Sequence, residues 1–169
     1  MKVGIFGGSF NPPHIGHLMA CQYVLALNDL DRIWIVPVRE HPFNKPMLNF
    51  WMRYELCVKT FHNSYASIMN FDHKFMIDLL RHLTETKPYY SYSLIVGSDI
   101  CTQWADWKDY DKIKELVPII VVPRGEQGAC ALPDISSTEI RERLKNGQDV
   151  SNLIPRAALE YITHNKLEF

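Results

Sequence analysis

The chain is 169 residues long, enough for one ordinary domain with a sizeable core and too short for two comfortable ones. Hydrophobic residues make up 47% and charged residues 22%, which excludes an intrinsically disordered chain. The formal net charge of -1 lacks the basic excess of a protein that grips polynucleotide backbones, so any nucleotide bound here is expected to be a small molecule held by a few placed groups.

Val3-Gly4-Ile5-Phe6 is a short apolar run ended by Gly7-Gly8, the pattern of a buried strand. After Pro12-Pro13 the spacing of Leu18, Cys21 and Leu25 predicts a helix that starts near Gly16 and stops at Asn28-Asp29. Ile33 to Val36 is a second strand, closed by Pro37, and residues 39–49 form a polar, proline-containing loop. Phe50 to Phe61 reads as a helix with Met52, Leu56 and Thr60 on one stripe. A weak strand is expected at 67–69, then a helix over 75–83 with Phe75, Leu79 and Leu83 aligned. Tyr92 to Val96 is a strand ended by Gly97, short helices follow near 99–104 and 109–116, and Ile119 to Val122 is the last clear strand. Ser136-Ser137-Thr138-Glu139 has the form of a capping box, with Ile135 and Ile140 at the staple positions, so a helix is expected from there to about Asn146-Gly147. Pro155 can open a final helix.

Strands alternating with helices in this way are the signature of stacked βαβ units. The fold expected is α/β: a single Rossmann-like, doubly wound parallel sheet of about five strands with helices on both faces, spanning residues 1–169 as one domain. Fully apolar strands fit, because a parallel sheet is covered on both sides. Cys21, Cys57, Cys101 and Cys130 are widely spaced and form no CxxC, so four reduced thiols are expected, with no disulfide or zinc site. The chain opens without an apolar signal core and contains no run of about 18 apolar residues, so no membrane association and a cytoplasmic location are expected.

The chemistry concentrates in Gly7-Gly8-Ser9-Phe10-Asn11-Pro12-Pro13-His14-Ile15-Gly16-His17, between the first strand and the first helix. In an open parallel sheet that loop sits at the carboxyl edge, where ligands bind. Gly7 and Gly8 let backbone N–H groups approach a phosphate, and the helix start adds partial positive charge. His14 and His17 are three apart with Gly16 between them, so they can point at one spot. Two histidines at this spacing could also be a metal pair or plain surface residues, but no third ligand is offered nearby. Ser136 to Glu139 could likewise be an ordinary cap, and Arg141 an ordinary surface arginine.

Together the two stretches carry more. GGSFNPPHIGHL resembles the HxGH motif of the nucleotidyltransferase superfamily, and ISSTEIR at 135–141 is similar to its second signature, ISSTxIR. The resemblance is greatest to bacterial nicotinate-nucleotide adenylyltransferases and covers nearly the whole chain, with Gly97-Ser98-Asp99 followed by Trp107, and Val122-Pro123-Arg124-Gly125, as further matching runs. It implies transfer of AMP from ATP to the phosphate of nicotinate mononucleotide, with pyrophosphate released. It implies catalytic roles for His14, His17 and Arg141. It places Gly7, Gly8, Ser9, Phe10, Gly97, Asp99, Ile135, Ser136, Ser137 and Thr138 around ATP, and Asn11, Lys45, Phe75, Met76, Trp107 and Arg124 around the acceptor.

Physical chemistry agrees. The attacking phosphate is already anionic, so neither a general base nor a covalent intermediate is needed, only alignment and positive charge around the α-phosphate. Mg²⁺ would bridge phosphate oxygens and keep its waters, so no protein-built metal site is expected. Asp99 could equally be a helix cap, Trp107 a core residue, and Lys45 and Arg124 solvated charges. The chain departs from the resembled pattern at Lys74 to Leu79, where a Ser-Tyr-Thr-x-Asp-Thr run keeps only its aspartate. It departs again at His41-Pro42-Phe43-Asn44-Lys45, and at Asn11, where aspartate is commoner. Acceptor identity therefore stays open toward nicotinamide mononucleotide or phosphopantetheine, and a non-catalytic nucleotide-binding regulator is the reading from another class. Lys74 is an added cation on the acceptor side. The partners expected are ATP and a small mononucleotide, with no nucleic-acid polymer and with homo-oligomerisation open.

Overall fold

The structure is a computed structural model that describes residues 1–40, 45–62, 65–125 and 132–169. Its elements run β1 (Lys2–Gly8), α1 (Ile15–Leu27), β2 (Arg32–Pro37), α2 (Phe50–Phe61), β3 (Ala66–Ile68), α3 (Met76–Thr86), β4 (Ser91–Gly97), a 3-10 helix (Ser98–Asp106), α4 (Tyr110–Leu116), β5 (Ile119–Val122), α5 (Ser137–Lys145) and α6 (Arg156–His164). The five strands form one sheet in the order β3-β2-β1-β4-β5, and every pairing is parallel. The expected α/β doubly wound sheet is the fold observed.

β2 shows why its strand reads as one unbroken apolar run. Ile33 and Ile35 pack on one face with Cys21 and Val24 of α1 and Cys57 and Phe61 of α2. Trp34 and Val36 pack on the other with Leu79, Leu80 and Leu83 of α3 and Ile113 of α4. A strand buried on both sides has no polar alternation to show. A third cluster lies away from the sheet: Leu56 of α2, Ile140 of α5, and Ala158 and Ile162 of α6 are buried together.

Where boundaries differ, the cause is local. α3 begins at Met76 because Phe75 is extended and serves as its N-cap. The segment after Gly97 is a 3-10 helix, the tighter turn that short connectors adopt. At α5, Ser136 Oγ accepts from the Glu139 N–H at 3.1 Å, which is half of the expected capping box. The returning half is absent, because the Glu139 carboxylate pairs with Arg143 one turn on at 2.6 Å. Cys21 and Cys57 are buried free thiols and Cys101 is a partly exposed one, while Cys130 and residues 41–44 lie outside the described residues. Among the described residues no helix is long and apolar enough to cross a membrane.

Ile140 is the residue that fastens α5 to the rest of the molecule, with 0% of its surface exposed. Ile140→Ala is expected to cost about 2–5 kcal/mol of folding stability. Urea unfolding measures it, and a loss below about 1 kcal/mol would mean that hydrogen bonds alone hold the helix.

Candidate active site

The strand order reverses direction at β1: the chain leaves it toward β2 and β3, then returns to its other side with β4 and β5. Loops that depart in opposite directions leave a crevice at the carboxyl ends of these two strands, the ordinary ligand position in such sheets. A cavity of about 670 Å³ opens there. Gly7, Gly8 and Ser9 from the end of β1, His14 and His17 from the start of α1, and Gly97 and Asp99 from the end of β4 all line it.

His14 and His17 come together as expected. Their ring centroids are 3.8 Å apart, tilted by 38°. Gly16 makes this possible, because a Cβ at that position would stand 3.0 Å from the His14 ring. The His14 backbone N–H donates to His17 Nδ1 at 3.2 Å. An accepting Nδ1 in a neutral ring puts the proton on Nε2, which makes His17 a hydrogen-bond donor from its other nitrogen. The His14 ring is buried, and its Nδ1 has no protein partner among the described residues. Burial first, and the Arg124 guanidinium second, bring the His14 pKa down to about 3. Desolvation among the packed rings, then His14 and Arg124, hold His17 well below the usual histidine range. Both rings are therefore neutral donors and acceptors at neutral pH.

The side chains of Phe10 and Asn11, expected around the ligands, lie behind the cavity wall. Phe10 is 2% exposed and packs against His17 at 4.9 Å between centroids. Its φ of 46° is left-handed, a conformation that a bulky residue holds only where packing fixes it. Asn11 Oδ1 accepts from the Leu48 N–H at 3.1 Å, so this side chain ties two loops together.

The second signature meets the first although 125 residues or more separate the contacting groups. Ser137 Oγ donates to the Pro12 carbonyl at 2.8 Å, and Arg141 Nη1 donates to the Asn11 carbonyl at 2.9 Å. Arg141 Nη2 reaches Thr138 Oγ1 at 3.1 Å. Ile135, Ser136, Ser137, Thr138 and Arg141 thus flank the histidine loop without lining the empty cavity itself. Arg124, grouped by resemblance with the acceptor, joins two parts of the ATP group. Its guanidinium pairs with Asp99 at 3.0 Å and donates to the Ile135 carbonyl at 2.7 Å. Gly97 leaves room beside them, since a Cβ there would displace the Asp99 carboxylate from its present position.

On the opposite side the cavity is walled by Lys45, Phe75, Met76 and Trp107, all expected there, together with Lys74 and Lys108. Lys108 Nζ lies 4.6 Å from the Phe75 ring centre and 3.2 Å from the Asp78 carboxylate. Sequence reading passed over Lys108, whose only signal was its place next to Trp107. Trp104 is partly buried against the core beside α4. Among the described residues, no three His, Cys, Asp or Glu side chains form a metal-ligand set.

A family model described as cytidylyltransferase-like matches residues 5–143. A protein of Anaeromyxobacter dehalogenans named "Probable nicotinate-nucleotide adenylyltransferase" is 37% identical over 179 residues, covering 98% of this chain and 96% of its own. One of the same name from Myxococcus xanthus is 36% identical, with 99% and 94% covered. The solved structure of Plasmodium falciparum nicotinic acid mononucleotide adenylyltransferase complexed with NaAD superposes with a TM-score of 0.85 at 22% identity, covering 98% of this chain and 96% of that one. The fold and its matched span define a nucleotidyltransferase. The chain belongs to the cytidylyltransferase-like family and, within it, to the nicotinate-nucleotide adenylyltransferases.

The neutral histidines have a consequence for stability. In the unfolded chain each takes a proton near its ordinary value of 6.5, while folded His14 does so only near about 3. Below about pH 6.5 the unfolded state binds protons that the folded state refuses, so stability is full above that value and declines as pH falls toward about 3. Thermal unfolding between about pH 7.5 and about pH 5 is expected to show a falling Tm, with a shallower fall in His14→Gln. A Tm independent of pH across that window would place both rings in contact with bulk water.

Proposed function

We propose that the chain transfers AMP from ATP to nicotinate mononucleotide by direct in-line displacement, giving nicotinate adenine dinucleotide and pyrophosphate. A phosphate oxygen of the mononucleotide forms a bond to the α-phosphorus, and the bond from that phosphorus to the bridging oxygen of the β-phosphate breaks. The attacking oxygen carries no proton to remove, so the site acts by alignment and electrostatics. The observation that carries this reading is the neutral His14–His17 stack, which sits at the switch-point cavity with the His17 proton on Nε2. His17 donates that proton in a hydrogen bond to an α-phosphate oxygen, and His14, with Nδ1 unmatched, is the second phosphate contact. Arg141, Thr138 and the first N–H groups of α5 face the β- and γ-phosphates when ATP closes against them. Asp99 accepts from the ribose, and Arg124 holds it in place.

Mg²⁺ is proposed to arrive bound to the triphosphate. The donor set supports this: the cavity offers the carboxylates Asp99 and Asp106, and among the described residues no cluster of three ligating side chains would cage a cation. Its charge offsets that of the phosphates, while the side chains set their geometry.

His17→Ala is expected to fold normally and to lose roughly 100- to 1,000-fold in kcat, the effect of removing one preorganised donor. Pyrophosphate release measures it, and a folded variant with near-normal kcat would remove His17 from the chemistry.

Nicotinate is favoured over nicotinamide by what the acceptor wall offers. The Trp107 N–H is engaged with the Trp104 carbonyl at 3.1 Å, so it cannot read the ring substituent. The start of α3 can: the first intrahelical bonds at this end are donated by Asp78 and Leu79, which leaves the Met76 and Ile77 N–H groups for a ligand carboxylate. Lys74 and Lys108 add positive charge beside them. A carboxamide in that place keeps one accepting oxygen but turns its NH2 donor onto the other N–H, which leaves that donor unsatisfied at about 1–3 kcal/mol and removes a charge-assisted bond, so roughly a hundredfold preference in kcat/KM for the acid is expected. A panel of nicotinate mononucleotide, nicotinamide mononucleotide and phosphopantetheine at saturating Mg²⁺–ATP checks it. Equal use of the first two overturns the nicotinate assignment, and ATP binding without pyrophosphate release for any acceptor would favour the regulator.

A further inference from the structure

The histidine loop is held from behind by a cation that sequence reading passed over. Arg53 lies on α2 on the same apolar stripe as Leu56, Cys57 and Thr60, and 0% of it is exposed. Its side chain donates four hydrogen bonds, all to main-chain carbonyls: Nε to Leu48 at 2.9 Å, Nη1 to Ser9 at 2.8 Å, and Nη2 to Val38 at 2.7 Å and Arg39 at 3.1 Å. Among the described residues no carboxylate pairs with it. Burial lowers its pKa from the usual arginine value, yet an arginine keeps its charge in proteins.

A buried cation without a counter-ion is costly, and its described compensation is these carbonyl dipoles together with the Phe50 ring, 5.9 Å from the guanidinium carbon. These four come from three segments that border the cavity: the loop after β1, the turn after β2, and the entry to α2. Ser9 and Val38 line the cavity directly. In a trans peptide unit the C=O and the N–H point to opposite sides. Turning the Ser9 carbonyl onto Arg53 therefore turns the Phe10 N–H away from it. The Gly8 carbonyl accepts from the Val38 N–H at 3.0 Å, and this turns the Ser9 N–H away in the same manner. Neither the Ser9 nor the Phe10 N–H is engaged by another group among the described residues.

We propose that Arg53 is a positioning residue: its planar fork fixes the peptide planes of the loop after β1, so that the Ser9 and Phe10 N–H groups are held ready for the phosphates of ATP. This rests on the ATP-dependent reading of the cavity given above. A lysine in its place keeps the charge but presents a single point instead of a fork, and so cannot hold three segments in one geometry. Uniform support of the fold would affect all ligands alike, whereas orientation of these N–H groups affects only ligands that carry phosphate.

The test separates the two. Arg53→Lys and Arg53→Gln are checked for folding by thermal unfolding, and binding of Mg²⁺–ATP and of adenosine is measured by calorimetry. Each folded variant is expected to lose at least about tenfold in ATP affinity while adenosine affinity stays within about twofold. ATP affinity within about twofold of the parent, or an equal loss for adenosine, overturns the proposal. Amide hydrogen exchange of the parent provides an arm that needs no variant. Exchange at Ser9 and Phe10 is expected to slow at least about tenfold on adding Mg²⁺–ATP and to stay unchanged with adenosine, and no slowing with ATP overturns the proposal as well. A parent that releases no pyrophosphate from ATP and nicotinate mononucleotide removes the functional reading instead. An active parent whose folded variants bind ATP normally removes only Arg53.

Discussion

Everything at the site follows from β1 and β4 lying side by side while leading to opposite halves of the sheet. Their loops must diverge, and no side chain from a crossing connection fills the space between them. Glycines end both strands, so the backbone reaches the edge of the crevice without bulk, and Gly97 also clears room for the Asp99 carboxylate. The histidine helix starts on one side of this gap and the 3-10 helix carrying Asp99 on the other. The cavity is thus a product of winding order before it is a product of any particular side chain.

Winding order alone does not close the site. Closure comes from α5, which brings Ser137 and Arg141 onto the carbonyls of Pro12 and Asn11. The Ser137 bond contributes about 0.5–1.5 kcal/mol net and the charged Arg141 bond about 1.5–3 kcal/mol, comparable with the burial of Ile140 that holds the same helix against α2 and α6. Apolar packing and these contacts share the stability, and the polar contacts also set the register between the two signatures. Arg124 adds a third tie, from the end of β5 to Asp99 and to the carbonyl of Ile135.

The charges divide by depth. The two histidines that line the cavity are neutral, because solvation is poor there and an arginine stands close. Positive charge comes from groups set around them: Arg124 and Arg141 near the two signatures, and Lys74 and Lys108 near the acceptor wall. Neutral donors at the centre and cations at the rim suit the in-line transfer proposed above, which would redistribute negative charge among phosphates. Met76 and Phe75, which stand where the resembled pattern has hydroxyl side chains, bring no hydroxyl to that wall, whose side-chain donors are the lysines.

The strands, most helix boundaries and the pairing of His14 with His17 were legible in the sequence, because they depend on local rules. Apolar runs without alternation mark strands buried on both faces, Phe50 to Phe61 keeps a helical stripe, Ser136 caps α5, and a glycine between two histidines lets their rings approach. The two signatures also carry the resemblance to the family. What the tertiary structure decided depends on contacts between residues far apart in the chain. It ties Asn11 to Leu48, since the side chain meets that N–H only when α2 packs beside the loop. It pairs Arg124 with Asp99, because β5 ends next to β4. It buried Arg53, an arginine on an otherwise apolar stripe, behind the histidine loop, where carbonyls from three segments converge. Hydrogen-bond partners of this kind leave no periodicity in a sequence, because the groups they join are main-chain atoms that every residue carries.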